Sequence, residues 1–133
     1  MKIENIKFKA KCLDNGEWVE GYFYKECDNT YIIKDRQSDS MLNRNETILV
    51  DPSTVCQFTG LKDKNGTPIY EGDIVTYKDN NAERRGVIVW DNKSIAFCFG
   101  YGFFLCHFPS ENMEVIGNEF DKKEVSYGKT NNN

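Results

Sequence analysis

Polar and apolar residues alternate strictly at the start of the chain, and a period of two residues is typical of a half-buried β-strand. Between Ile6 and Cys12 the apolar positions alternate with a stripe of three lysines, Lys7, Lys9 and Lys11. Strand-like stretches rich in aromatic and β-branched residues follow at 17–24, 31–33 and 47–50. Turn residues separate the strands at 6–12, 17–24 and 31–33, so we predict an N-terminal antiparallel β-meander over residues 1–50.

The second half of the chain continues the strand signal in shorter pieces. Apolar and aromatic stretches lie at 74–77, 86–90, 95–99, 103–108 and 113–117. About five short strands at intervals of about 8–12 residues are typical of a small barrel. We predict an SH3-like β-barrel lobe over residues 51–118, with a charged loop from Lys78 to Arg85. The polar, aperiodic residues 34–46 should form a surface loop or a wide hairpin arm, and residues 119–133 a polar, disordered tail.

One short helix interrupts this β-rich pattern. Asp51 can accept hydrogen bonds from free backbone N–H groups, and Pro52 suits the first helical position because it has no N–H to satisfy. These two residues predict a helix of one or two turns near 52–57, which Phe58-Thr59-Gly60 should end. No stretch has the i, i+3, i+4, i+7 apolar spacing of a long amphipathic helix. The predicted fold class is therefore mainly β, a β-rich α+β protein.

Composition and charge narrow the functional classes. Aromatic residues make up 14% of the chain, which favours strands, and the formal net charge is −4. Nucleic-acid-binding proteins usually carry a basic surface, and this chain has a net negative charge instead. No apolar run approaches the roughly 20 residues that cross a bilayer, and the N-terminus has no signal-peptide pattern. We therefore expect a cytoplasmic protein with no membrane partner.

The five cysteines form no recognisable disulfide or ligand pattern. Their number is odd, they are widely spaced, and no C-x-x-C motif occurs. Thiols in a cytoplasmic protein are expected to stay reduced, and zinc sites need ligands in close pairs. We predict no metal and no cofactor.

A long central motif carries a family resemblance. The segment from Asp51 to Gly66, continuing through 69–75, resembles the YopX family of small bacteriophage and prophage proteins, mainly from Gram-positive hosts. Further matching segments follow the same order, at 6–10, 18–22, 86–90 and 114–118. The resemblance extends to about Asn118, and it implies a phage origin, a bacterial host cell and a β-rich fold without catalytic residues. Residues 119–123 lack the proline that family members often carry after the Gly-Asn pair.

The motif residues are interpreted as structural. They are Gly60, Asp63, Asn65, Gly66, Tyr70, Glu71, Gly72, Asp73, Gly117 and Asn118. Asn65-Gly66 is a strong signal for a hairpin turn with positive φ at the glycine. Gly72 permits an unusual backbone angle, and the Asp73 carboxylate can hydrogen-bond nearby N–H groups. The alternative is that Tyr70, Glu71 and Asp73 perform acid–base work, but turn chemistry explains each residue type.

No catalytic constellation is visible elsewhere. Cys106 and His107 are neighbours, and neighbours on a strand point to opposite faces, so the two side chains should not meet. The stretch Gly100-Tyr101-Gly102 lacks the G-x-x-x-x-G-K-[ST] pattern and is not followed by a helix, so a bulge or hairpin is the better interpretation. We therefore predict that the protein is not an enzyme.

Two binding functions remain. An aromatic-rich β protein must protect its edge strands, and pairing with its own copies is one way to do so. The favoured prediction is thus a protein-interaction or self-assembly module, a homo-oligomer with an unidentified phage or host protein as a further partner. The alternative is a nucleic-acid-binding small barrel. Its candidate phosphate contacts are Lys78, Arg84, Arg85 and the lysine stripe, and its candidate stacking rings are Tyr77, Trp90 and Tyr101.

Overall fold

The computed structural model describes residues 2–34, 46–79, 82–100, 105 and 108–121. Two compact units divide the chain between Gln57 and Phe58, whereas the sequence pattern places the division between residues 50 and 51. The fold is mainly β, as predicted, with antiparallel strand pairing throughout the described residues. Several predicted features lie outside these residues, namely most of the loop at 34–46, Tyr101 and Gly102, Cys106 and His107, and the tail from residue 122 onward.

The first unit is the predicted antiparallel meander. Its strands are β1 (Phe8–Lys11), β2 (Trp18–Glu26), β3 (Asn29–Lys34) and β4 (Thr47–Leu49), and each pairs with the next. A short 3-10 helix, Ile3–Asn5, precedes them. An isolated bridge joins Cys12 to Val50, and the N–H of Leu13 donates to the carbonyl of Leu49 at 3.1 Å. The end of β1 therefore returns to the end of β4, and the sheet curls around its own core.

The core of the first unit follows the predicted alternation only in part, because Ile6 is 40% exposed and Lys11 is buried at 5% exposed. Ala10, Ile32 and Val50 are fully buried, and the partly buried residues packed against them are Phe8, Val19, Ile48 and Val55. Because successive side chains on a strand point to opposite faces, the lysine stripe lies on the face away from this core.

The predicted helix begins where expected but is much shorter. Asp51 precedes a 3-10 helix, Pro52–Thr54, and its Oδ1 accepts a hydrogen bond from the N–H of Ser53 at 3.0 Å. The prediction of a helix reaching residue 57 is wrong, because strand β5 (Cys56–Lys62) starts at Cys56. Cys56 and Gln57 pair with β1, and this pairing satisfies backbone groups that a longer helix would otherwise satisfy.

The second unit contains the rest of β5 and five more strands. These are β6 (Pro68–Tyr70), β7 (Asp73–Asp79), β8 (Ala82–Asp91), β9 (Ala96–Phe99) and β10 (Met113–Asn118). Four of them form an antiparallel sheet in the order β10-β7-β8-β9, which is open within the described part of the chain. The core of the second unit consists of Ile69, Val75, Tyr77, Ile88, Phe99, Leu105 and Met113. A 3-10 helix, Ser110–Asn112, leads into β10.

The prediction of a charged loop from Lys78 to Arg85 is wrong in extent. Strands β7 and β8 continue through these residues as a hairpin, and Asp79 pairs with Ala82 so that only residues 80–81 separate the strands. Lys78 lies opposite Glu83, and such opposite charges stabilise a pair of exposed strands without any apolar pattern.

Candidate functional site

Asp63 is the anchor of the turn between β5 and β6. Its Oδ1 accepts hydrogen bonds from the N–H groups of Asn65 and Thr67 at 2.8 and 2.9 Å. Its Oδ2 accepts one from the N–H of Val115 on β10, at 2.9 Å. Gly66 takes a left-handed conformation with φ of 83°, which completes the turn. One buried carboxylate thus fixes the hairpin turn and attaches it to the sheet.

The ionisation of Asp63 follows from these contacts. Burial acts to raise the pKa of Asp63, because it removes water from the charged form. The hydrogen bonds from Val115, Thr67 and Asn65, together with the charge of Lys64, outweigh burial and lower this pKa below its usual value. Asp63 is therefore a stabilised carboxylate rather than a proton donor at neutral pH.

Asp73 has a similar role at the start of β7. Its Oδ2 accepts a hydrogen bond from the N–H of Tyr70 at 2.8 Å, and its Oδ1 accepts one from Nδ2 of Asn118 at 2.9 Å. Gly72 has a φ of 88°, and its N–H donates to the carbonyl of Ile88 at 2.7 Å. Asp73 is 1% exposed and Asn118 is 4% exposed. These motif residues therefore join β6, β7, β8 and β10 within the second unit.

The remaining motif residues also occupy positions with local structural demands. Gly60 has a φ of 92°, and a Cβ on Gly117 would lie 3.2 Å from Oδ2 of Asp121. Tyr70 is buried and its ring centroid lies 5.5 Å from that of Phe58, while Glu71 is half-buried. The contacts of the family motif favour the structural interpretation over an acid–base site.

Substitution in this motif should therefore affect stability first. Gly72→Val places a β-branched residue at positive φ, and we expect it to lower the free energy of unfolding by about 1–3 kcal/mol. Asp73→Ala leaves buried donors without their acceptor, at a cost of about 1–3 kcal/mol. Both variants should melt several degrees below the wild type, as circular dichroism would measure. If Asp73→Ala keeps its melting temperature but loses a partner, the motif is a binding site instead.

The predicted phosphate contacts on β7 and β8 do not share one face. Lys78, Arg84 and Arg85 are all exposed, but Arg84 and Arg85 are consecutive on β8 and point to opposite faces. Lys78 shares a face with Arg85, and Glu83 lies directly opposite Lys78. The structure therefore brings two of the three cations to one face and places a carboxylate between them.

The predicted stacking rings are also arranged differently from a base-binding platform. Tyr77 is 7% exposed and belongs to the core of the second unit, so its ring is not available to a base. Trp90 is 40% exposed; its ring packs edge-on against Phe97 at 5.0 Å, and its Nε1 donates to Asn92. Of these two rings, only Trp90 reaches the surface.

The lysine stripe of β1 lies against an aromatic ring. Nζ of Lys9 lies 4.7 Å from the ring centroid of Trp18, and Nζ of Lys11 lies 5.6 Å from it. Lys7 pairs with Glu20 at 3.9 Å. Cation–π contacts are worth about 0.5–1 kcal/mol at exposed sites and about 2 kcal/mol or more when desolvated, and Lys11 is 5% exposed. Glu20 thus offsets the charge of Lys7, whereas the neutral Trp18 ring leaves the charges of Lys9 and Lys11 in place.

A surface that the sequence reasoning missed lies on the same side of the first sheet. Tyr22 is opposite Ile33, Tyr24 is opposite Tyr31, and Tyr31 is opposite Leu49, so these five side chains share one face of β2, β3 and β4. We call this surface the tyrosine face. The ring centroids of Tyr24 and Tyr31 are 5.8 Å apart. Tyr22, Tyr24 and Leu49 are 38%, 42% and 39% exposed, while Ile33 and Tyr31 are half-buried.

The tyrosine face has a hydrogen-bonding rim. The hydroxyl of Tyr24 donates to Oε1 of Glu26 at 2.8 Å, and this hydrogen bond, followed by burial and the charge of Glu26, raises the pKa of Tyr24. An apolar surface with tyrosine hydroxyls is suited to protein contacts, because tyrosine offers a large ring and a polar group at low entropic cost. The alternation along β2 places these tyrosines on one side of the strand. Aromatic residues also occur on its other side, so the alternation alone does not show which side is exposed.

The described residues provide little for metal binding or membrane insertion. Within the described ranges, no group of three or more His, Cys, Asp and Glu side chains is placed to hold a metal ion. None of the helices among those residues is both long and apolar enough to span a bilayer. The predicted Cys106–His107 pair and the Gly100-Tyr101-Gly102 stretch fall largely outside the described part of the chain.

Comparison with known proteins identifies the family. A family model described as "YopX protein" matches residues 4–125, which is nearly the whole chain. The chain belongs to the YopX family. This membership confirms the resemblance carried by the central motif. A search of curated proteins finds no significant match.

A solved structure supports the same relationship for this YopX-family chain. The crystal structure of protein EF1440 from Enterococcus faecalis is similar, with 26% sequence identity and a TM-score of 0.51. The match covers 88% of this chain and 96% of the Enterococcus protein. The similarity thus extends over both compact units of the YopX-family fold.

Proposed function

We propose that this YopX-family protein is a non-enzymatic interaction or self-assembly module that contacts protein partners through the tyrosine face. The observation that carries the proposal is that Tyr22, Tyr24 and Leu49 are exposed and share one sheet face with the half-buried Tyr31 and Ile33. Tyrosine is enriched at protein interfaces and often dominates their binding energy. Contiguous exposed apolar patches on small proteins frequently mark interaction sites.

The proposed setting is a bacteriophage or prophage protein acting in the host cytoplasm. The family membership supports this setting, because the YopX resemblance implies a phage origin. We also propose an SH3-like relationship for the second unit, since its short antiparallel strands enclose one aromatic core. The partner is then a phage or host protein, or another copy of the chain.

Charge supports a protein partner over a nucleic acid. Glu83 lies opposite Lys78 on the second sheet, and Glu20 pairs with Lys7 beside the tyrosine face. Nucleic-acid affinity depends on cations that remain able to neutralise phosphates. The basic residues singled out by the sequence are thus diluted by acids in both units.

The test compares the wild type with a variant that carries Tyr22→Ser and Tyr24→Ser. We expect the wild type to show a mass above that of a monomer by light scattering, or to capture a protein from induced lysogen extract. The double variant should lose that behaviour while keeping its far-ultraviolet circular dichroism. Ile116→Ser is the matched control, since Ile116 is 46% exposed in the other unit and should be silent. A monomeric wild type that captures nothing would overturn the proposal.

A further inference from the structure

The tyrosine face has oppositely charged ends. At one end Lys9 lies opposite Glu20 in the β-ladder, and Nζ of Lys7 lies 3.9 Å from Oε1 of Glu20. Glu4 lines the same cavity as Lys7 and Glu20. At the other end Glu26 closes β2, and Asp28 lies in the adjoining hairpin turn. Glu20 and Glu26 are six positions apart along β2, which corresponds to about 20 Å.

The two ends are complementary to each other. The first end carries Lys7, Lys9 and Lys11 against Glu4 and Glu20, which leaves a small positive excess. The second end carries Glu26 and Asp28, while Lys25 lies on the opposite face of β2. A two-fold axis that runs across the strands, between the levels of Tyr22 and Tyr24, exchanges the ends when two such faces stack. Each positive end then meets the partner's acidic end, and the tyrosines of the two copies meet at the centre. A two-fold interface must be self-complementary in this way.

Other occupants fit this charge pattern less well. A nucleic acid would meet the carboxylates of Glu26 and Asp28 at one end of the face, and a uniformly charged protein would be repelled at one end or the other. The central row, by contrast, offers the same apolar and aromatic groups to any copy of itself. Charge complementarity therefore selects a second copy of the chain.

We propose that the tyrosine face is the contact surface of a homodimer, in which Lys9 of each copy lies near Glu26 of the other. This inference rests on the proposed function and specifies its partner and its geometry. The dimer contact is confined to the first unit, and the central residues Tyr22 and Tyr24 are its apolar anchor.

The test uses two charge-reversal variants of the full chain, Lys9→Glu and Glu26→Lys. Each variant alone places like charges together at both ends of the dimer, so its dissociation constant should rise by about tenfold or more. Mixing the two variants restores opposite charges at both ends of a mixed dimer. We expect this mixed dimer to form with a dissociation constant within about threefold of the wild type. Sedimentation equilibrium on the single and mixed samples measures all three values.

The outcomes separate this inference from the proposed function. A wild-type dimer that each reversal weakens and the mixture restores supports the inference. If the wild type assembles but neither reversal weakens it, or if the mixture does not recover, the inference is overturned while self-assembly stands. If the wild type is a monomer that captures another protein through Tyr22 and Tyr24, the inference also fails and the proposed function stands. Thermal melts of each variant confirm folding, and Lys9→Gln with Glu26→Gln provides a second pair that should weaken the dimer less.

Discussion

Replacing Asp63 by alanine should lower the free energy of unfolding by about 2–4 kcal/mol. The side chain is 6% exposed and accepts three backbone hydrogen bonds, from Asn65, Thr67 and Val115. Alanine leaves these donors without an acceptor, and the N–H of Val115 lies in a partly buried position where water compensates poorly. The turn would also lose its attachment to β10. Urea unfolding followed by circular dichroism measures the change.

Asp63→Asn is the matched control for this prediction. The asparagine amide keeps one oxygen acceptor, so it can serve either the turn or Val115 but not all three donors. Its NH₂ group would also face an N–H donor. We expect the free energy of unfolding of Asp63→Asn to lie between those of the wild type and Asp63→Ala. Equal stability of Asp63→Ala and the wild type would show that the carboxylate does not hold the turn.

The contribution of Asp63 should also depend on pH. Its folded-state pKa is lowered below that of the unfolded chain, so the folded protein binds fewer protons at this site. The stabilisation is therefore complete above the unfolded pKa of about 3.9 and is lost as the pH falls through the folded value. The stability difference between the wild type and Asp63→Asn should be constant from pH 7 to about pH 5 and should shrink below about pH 4. An unchanged difference at pH 3 would contradict this assignment.

The parts of the fold that sequence could predict are those encoded locally. The alternation from Ile6 to Cys12 predicts β1 because the two faces of that strand differ in polarity along a single segment, although residues on both faces are half-buried or buried. The start of the 3-10 helix was also predictable, since Asp51 and Pro52 act on their immediate neighbours. The strand β5 was not, because Cys56 and Gln57 are committed to a strand by their pairing with β1, far away in the sequence.

The hairpin of β7 and β8 shows a different limit of prediction from the sequence. Lys78, Glu83, Arg84 and Arg85 resemble a solvated loop when they are read one after another. Their strand conformation is set by the register of two facing segments, in which Lys78 meets Glu83 across the ladder. Polar cross-strand pairs leave no apolar period, so hydrophobic patterning alone is silent about such strands.

The candidate site was only partly predictable for the same reason. The turn chemistry of Asp63 and Gly66 was visible locally, but the bond from Asp63 to Val115 spans 52 residues. The tyrosine face was missed because β2 has aromatic residues on both sides. Only the partner strands decide the orientation, since Ile32 is fully buried and thereby turns Tyr31 and Ile33 toward the opposite face.

This division of roles relates the motif to the proposed function. The most recognisable residues of the family, such as Asp63, Asp73 and Asn118, are buried and hydrogen-bonded within the second unit. The exposed aromatic surface lies in the first unit, on a meander whose central strand is β2. The family motif thus maintains the fold of the second unit, whereas the surface proposed for interaction lies in the first.

Gly21→Ala should be the most damaging single substitution that the structure identifies, lowering the free energy of unfolding by about 3–5 kcal/mol. A Cβ built on Gly21 would lie 2.1 Å from the carbonyl oxygen of Ile33 on the neighbouring strand. The obstacle is backbone, so no side-chain rotation can relieve it. The strands β2 and β3 would have to separate at Gly21, and the paired residues of the tyrosine face would separate with them.

Gly66→Ala is the control for this substitution. Gly66 has a φ of 83°, but a Cβ there would meet nothing within 4 Å, so alanine should cost only about 1 kcal/mol. Thermal denaturation and hydrogen exchange of the β2 and β3 amides would compare the two variants. Gly21→Ala should be poorly folded or melt many degrees lower, with fast exchange in these strands, whereas Gly66→Ala should remain folded. If the two variants melt at similar temperatures, the close approach of Gly21 to Ile33 does not exist in solution, and the register on which the tyrosine face depends would have to be revised.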